Sequence, residues 1–60
     1  MTRTYAAKRL LEHGPLTLRE FVTITGWEYH ASQRTLEQLI ETGLVVSERL
    51  ARKKCLYRLA

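Results

Sequence analysis

Three glycines constrain this chain more than any other feature. Gly14, Gly26 and Gly43 cut its 60 residues into four short segments. Glycine enters the left-handed region without steric cost, so one placed after an amphipathic stretch closes a helix. Helices this short are marginal alone in water, so each must lean on its neighbours. The sequence is therefore expected to form one small domain, residues 1–60, with no linker, repeat or low-complexity tract.

The segments differ in pattern. Residues 3–13 are predicted as a helix with Ala7, Leu10 and Leu11 on one apolar stripe. Tyr5 falls outside that stripe, toward Lys8, Arg9 and Glu12. Gly14 and Pro15 end the helix, since proline cannot continue it. A second helix is predicted over 18–25. Thr17 followed by Glu20 has capping-box spacing, in which hydroxyl and carboxylate each accept from an orphan N–H. Leu18, Phe21, Val22 and Thr25 share its inner face. A third helix is predicted over 28–42, with Ser32, Leu36, Leu39 and Ile40 turned inward. Its start is weakly marked, because Glu28 is a poor capping residue.

Residues 44–60 are the ambiguous segment. Cys55, Tyr57 and Leu59 alternate with Leu56 and Arg58, and Val45 and Val46 favour strands. A hairpin with strands over 44–49 and 55–59 is the expectation. Against it, Ala51-Arg52-Lys53-Lys54 lacks the Gly, Asn, Asp or Pro of a tight turn. By propensity Ser47–Lys54 would also form a helix, though one without a continuous apolar stripe.

Composition narrows the function. Lys plus Arg is 10 and Asp plus Glu is 6, for a net charge of +4 at pH 7. All the acids are Glu, and Asp and Asn are absent. Asp-rich calcium loops and most Asp-dependent catalytic sets are thereby excluded. No nucleophile–base pair or Gly-rich phosphate loop stands at usable spacing, so no enzyme is expected. His13, His30 and Cys55 lack the paired spacing of zinc ligands and a fourth member. No metal, cofactor or small-molecule ligand is expected. Cys55 has no internal disulfide partner, which makes a reducing cytoplasm the simplest home. No apolar run exceeds three residues, so no membrane span is expected. A small basic domain has nucleic acid as its leading partner class.

The order of these pieces resembles the winged helix-turn-helix. The string that carries the likeness is Leu16-Thr17-Leu18-Arg19-Glu20-Phe21, then Thr25-Gly26-Trp27, then Arg34-Thr35-Leu36-Glu37-Gln38-Leu39 and Gly43-Leu44-Val45. Tyr57-Arg58-Leu59 is similar to a last wing strand. The likeness implies an α+β fold: three helices followed by a β-hairpin wing, with a short strand near Leu16 beside it. It also implies double-stranded DNA as partner and a role in transcription regulation. Minimal versions of this kind resemble bacterial phage, prophage or plasmid regulators, including repressors and excision factors. The family usually has an aliphatic residue where Trp27 stands, a small one at Val22 and a branched apolar one at Ser32. Val22 and Ser32 are thus expected to be a volume-conserving exchange where the two helices cross.

In such a fold the third helix enters the major groove. Arg34 is chemically suited to guanine O6 and N7, and Gln33 to adenine N6 and N7. Tyr29 and His30 are expected at phosphate or a base edge. Glu37 is suited to cytosine N4, or to holding Arg34 in place. This helix carries Glu28, Glu37 and Glu41 against Arg34 alone, so affinity must come from elsewhere. Arg49, Arg52, Lys53, Lys54 and Arg58 follow the last acid, Glu48. A hairpin tip of Arg52, Lys53 and Lys54, with Arg49 behind it, suits phosphates or the minor groove. Arg19, with Arg3, Lys8 and Arg9, is expected to add backbone contacts. The protein is expected to be a monomer, or a weak homodimer formed on DNA. The rival reading is a winged-helix adaptor that binds protein instead, and an excision or architectural factor is a further variant.

Overall fold

The computed structural model describes residues 2–52 and 54–60; Lys53, expected at the hairpin tip, lies outside the described residues. The chain is α+β, with three helices and a three-stranded antiparallel sheet. The elements run α1 (Arg3–Leu11), β1 (Leu16–Thr17), α2 (Leu18–Thr25), α3 (Tyr29–Glu41), β2 (Val45–Ala51) and β3 (Lys54–Leu59). The described helices include none long and apolar enough to cross a membrane.

Helix α1 starts at Thr2, whose hydroxyl accepts from the Tyr5 N–H at 3.2 Å. It ends two residues earlier than the stripe predicts. His13 and Gly14 donate to Leu10 and Leu11, so the chain tightens into i→i+3 turns before Pro15. At α2 both halves of the capping box are present. Thr17 Oγ1 accepts from the Glu20 N–H at 3.2 Å, and Glu20 Oε1 accepts from the Thr17 N–H at 3.0 Å. Gly26 closes α2 at φ 72°, and its N–H donates to the Val22 carbonyl at 2.9 Å.

Glu28 precedes α3 in extended conformation and makes no side-chain cap, so the helix starts at Tyr29. It ends at Glu41 in a Schellman arrangement. Leu44 N–H donates to the Leu39 carbonyl, and Gly43 N–H to that of Ile40.

Residues 45–51 and 54–59 form the hairpin, and no helix forms there. The strands run farther than expected, because a bulge compensates for the missing turn residues. The register passes from Arg49↔Cys55 to Ala51↔Lys54, leaving Leu50 as the extra residue. The Arg49 guanidinium then donates to the Arg52 carbonyl at 3.0 Å, across the turn. Lys54 is therefore a strand residue paired with Ala51, not a tip residue.

The sheet order is β1-β3-β2, with Leu16 opposite Tyr57 and Thr17 opposite Leu56. Thr17 both ends β1 and caps α2, so the start of α2 is pinned beside β3. The core joins Ala7 and Leu11 of α1, Phe21 of α2, Leu36 and Leu39 of α3, and Val45 of β2. Trp27 packs on it, edge-on to Phe21 with ring centroids 5.6 Å apart. Thr35 is also buried, which the predicted stripe omits; its hydroxyl donates to the Ala31 carbonyl at 2.8 Å. Ser32 is fully enclosed and Val22 half-buried.

Candidate nucleic-acid interface

Successive residues of a helix are rotated by about 100°, which orders the outer surface of α3. Tyr29 and Gln33 lie on one flank, His30, Arg34, Glu37 and Glu41 near the middle, and Gln38 on the other flank, next to Arg34. The structure hollows each flank into a concave surface.

The first surface is an open groove of about 900 Å³. Thr17, Leu18, Arg19 and Glu20, around the start of α2, line one part of it. Tyr29 and Gln33 of α3 and Lys54, Cys55 and Tyr57 of β3 complete the lining. Tyr29 is exposed and meets His30 edge-on, with ring centroids 5.7 Å apart. Gln33 is half-buried. Burial pushes the Tyr57 phenol upward, and charge on Cys55, Glu37 and Tyr29 pushes it further. The Tyr57 hydroxyl is thus a neutral donor or acceptor within the groove.

Glu20 is the acid of this surface. Hydrogen bonds from the Thr17 N–H and hydroxyl hold its carboxyl below its ordinary value, and the charge of Lys54 adds to them. The carboxylate is thereby tied into the cap while Arg19 and Lys54 line the same groove.

The second surface lies on the opposite flank, a shallow cleft of about 410 Å³. Thr2, Arg3 and Thr4 of the α1 start face Ala31, Arg34 and Gln38 of α3 there. The Arg3 guanidinium lies over the Trp27 ring at cation–π range, 5.8 Å from its centroid. Arg3 and Arg34 are 31 positions apart, and no periodicity or motif in the sequence brings them together.

The structure therefore gathers Tyr29, Gln33, Arg19 and Lys54 around one groove, and sets Arg34 apart from them. His30 and Glu37 are exposed between the two surfaces. Among the described residues the one ion pair joins Arg9 to Glu12 at 3.2 Å, so Glu37 does not hold Arg34. Arg49 and Arg52 are exposed at the far end of the hairpin and bonded to each other across the turn. Arg58 pairs with Val46 in the register, on the opposite sheet face from Tyr57 and Leu59 by strand alternation. Among the described residues no three His, Cys, Asp or Glu side chains are placed to share a metal ion.

Comparison of the chain with protein-family models, with curated proteins and with solved structures gave no match.

Proposed function

We propose that this chain is a winged helix-turn-helix domain that binds double-stranded DNA, most simply as a small regulator of transcription. The observation that carries the reading is the groove in which the first turn of α3, the start of α2 and the cationic strand β3 converge. Three features of the fold support it. The α2–Gly26–α3 corner has a left-handed glycine, as a helix-turn-helix needs. Strand β1 pairs with β3 ahead of α2. The hairpin beyond Glu48 carries Arg49, Arg52 and Lys54 on exposed positions.

In this reading α3 lies in the major groove. Tyr29, His30 and Gln33 face base edges from its first turn and a half. Arg19 and Lys54 neutralise phosphates beside the α2 start, while Arg49 and Arg52 follow the backbone or the neighbouring minor groove. Glu37 accepts from a cytosine amine or repels mismatched sites. The acids of α3 weaken attraction to any duplex, so binding depends on the cations around it.

The test is duplex binding over a salt series with the intact chain. Binding at low salt, with log affinity falling linearly against log salt, supports the reading. Absence of binding to any duplex at low salt overturns it and favours the adaptor reading, for which exposed Glu37 and Glu41 give the outer face of α3 an acidic character, with exposed Tyr29 on its flank.

A further inference from the structure

A helix seated in the major groove has a phosphate strand along each flank, because the groove is about 12 Å wide and a helix about 10–12 Å across. The groove flank of α3 offers Arg19 and Lys54 to one strand. We infer that Arg3 and Arg34, in the cleft on the other flank, bind phosphates of the second strand, so that α3 is held from both sides. This rests on the DNA-binding reading and extends it to a surface that reading does not use.

The cleft has the chemistry for the task. Among the described residues no acid lines it and neither arginine is ion-paired. Trp27 lies within cation–π range of the Arg3 guanidinium, which favours keeping that cation beside the cleft. A guanidinium carries five N–H donors whose planar fork suits phosphate oxygens. Trp27 is itself held edge-on against Phe21 of the core, which ties the Arg3 contact back to the fold. Arg34 faces the same cleft from α3 and is exposed. Two cations converging on one acid-free hollow attract a phosphate more strongly than either does alone. Arg34 is thereby directed to the backbone and away from the guanine contact its residue type suggests.

Fluorescence anisotropy on a preferred and a random duplex, over a salt series, tests this with Arg3→Ala, Arg34→Ala, the double variant and Arg34→Lys. Each alanine should flatten the log–log salt slope by about 0.9, and the pair by about twice that. Both duplexes should lose affinity in equal ratio, and Arg34→Lys should restore the slope because it keeps the charge. Arg34 is exposed, so its variants carry the test even if Arg3→Ala loosens Trp27. A loss confined to the preferred duplex with an unchanged slope would assign Arg34 to a base and overturn the cleft. Unchanged binding by both alanine variants, with Arg52→Ala/Lys54→Ala still flattening the slope, would reject the cleft and leave the groove reading intact. Failure of the wild-type chain to bind duplex at low salt would reject both.

Discussion

The helical half of the molecule and its hairpin are built on opposite principles. Ala7, Leu11, Phe21, Leu36 and Leu39 close a core in which Phe21 and Leu36 have no exposure at all. The hairpin contributes Val45 to that core, and Tyr57 and Leu59 pack against it from β3. Beyond Ser47 the β2 strand is exposed throughout, and its order comes from the backbone ladder, the Leu50 bulge and the Arg49–Arg52 bond. Burial is what stabilises small domains, since hydrogen bonds largely exchange one partner for another. The far hairpin is therefore free to carry charge that a core position would not tolerate. Substitutions in the two regions should separate stability from binding.

The largest effect is expected at Phe21. Phe21→Ala removes a fully buried ring and the edge contact to Trp27, a loss of about 3–5 kcal/mol. A domain of this length has only roughly 3–9 kcal/mol in total, from about 0.05–0.15 kcal/mol per residue. Denaturant titration followed by circular dichroism should show most of the cooperative transition gone. A loss below about 1 kcal/mol would mean that the helical core is not what holds the fold.

Thr17→Ala comes next, at about 1 kcal/mol by thermal or denaturant unfolding, because it removes one half of the capping box and the hydroxyl that Glu20 accepts from. The same site gives a pH signature. The Glu20 carboxyl titrates lower in the folded protein than when unfolded. Its contribution is therefore present above the ordinary glutamate range and is lost as pH falls through the depressed folded value. Melting temperature should drop through that acid window in the wild type and less so in Glu20→Gln. Equal drops in both proteins would remove the cap as the cause.

Ser32→Ala has the opposite sign. The Ser32 hydroxyl is fully enclosed and without a hydrogen-bond partner among the described residues. Removing a buried unsatisfied group should be neutral or stabilise by up to about 1 kcal/mol. A clear destabilisation would show that the hydroxyl has a partner, such as a buried water.

The smallest stability effect belongs to the hairpin. Arg52→Ala/Lys54→Ala should leave the unfolding midpoint within about 0.5 kcal/mol of wild type, since both side chains are exposed. The same variant should flatten the salt dependence of duplex binding by roughly 2 units without reordering preferred sequences. A large loss of stability would break the contrast between the two regions.

Most of the local architecture was legible in the residues. The left-handed Gly26, the Thr17–Glu20 box, the weak start at Glu28 and the alternation of Cys55, Tyr57 and Leu59 each depend on neighbours within a few positions. Helix periodicity marked Ser32, Leu36 and Leu39 as inward for the same reason, although Thr35 escaped because its polar side chain satisfies itself on Ala31. The hairpin was harder to read. Its turn lacks the usual residues, and it closes through a bulge and a guanidinium–carbonyl bond that no propensity scale contains.

What the sequence determined alone was thus where each element starts, stops and turns its apolar side, since caps, glycines and periodicity act over one or two turns of chain. Which charged groups share a surface was decided only by the tertiary structure. Lys54 lines one groove with Glu20 because β1 ties the start of α2 to β3, and Arg3 lines one cleft with Arg34 because α1 packs against α3. Those partners are separated by about thirty residues, and their approach is driven by burial of Phe21, Leu36 and their neighbours. That force is non-directional and leaves no pattern at the charged positions it brings together.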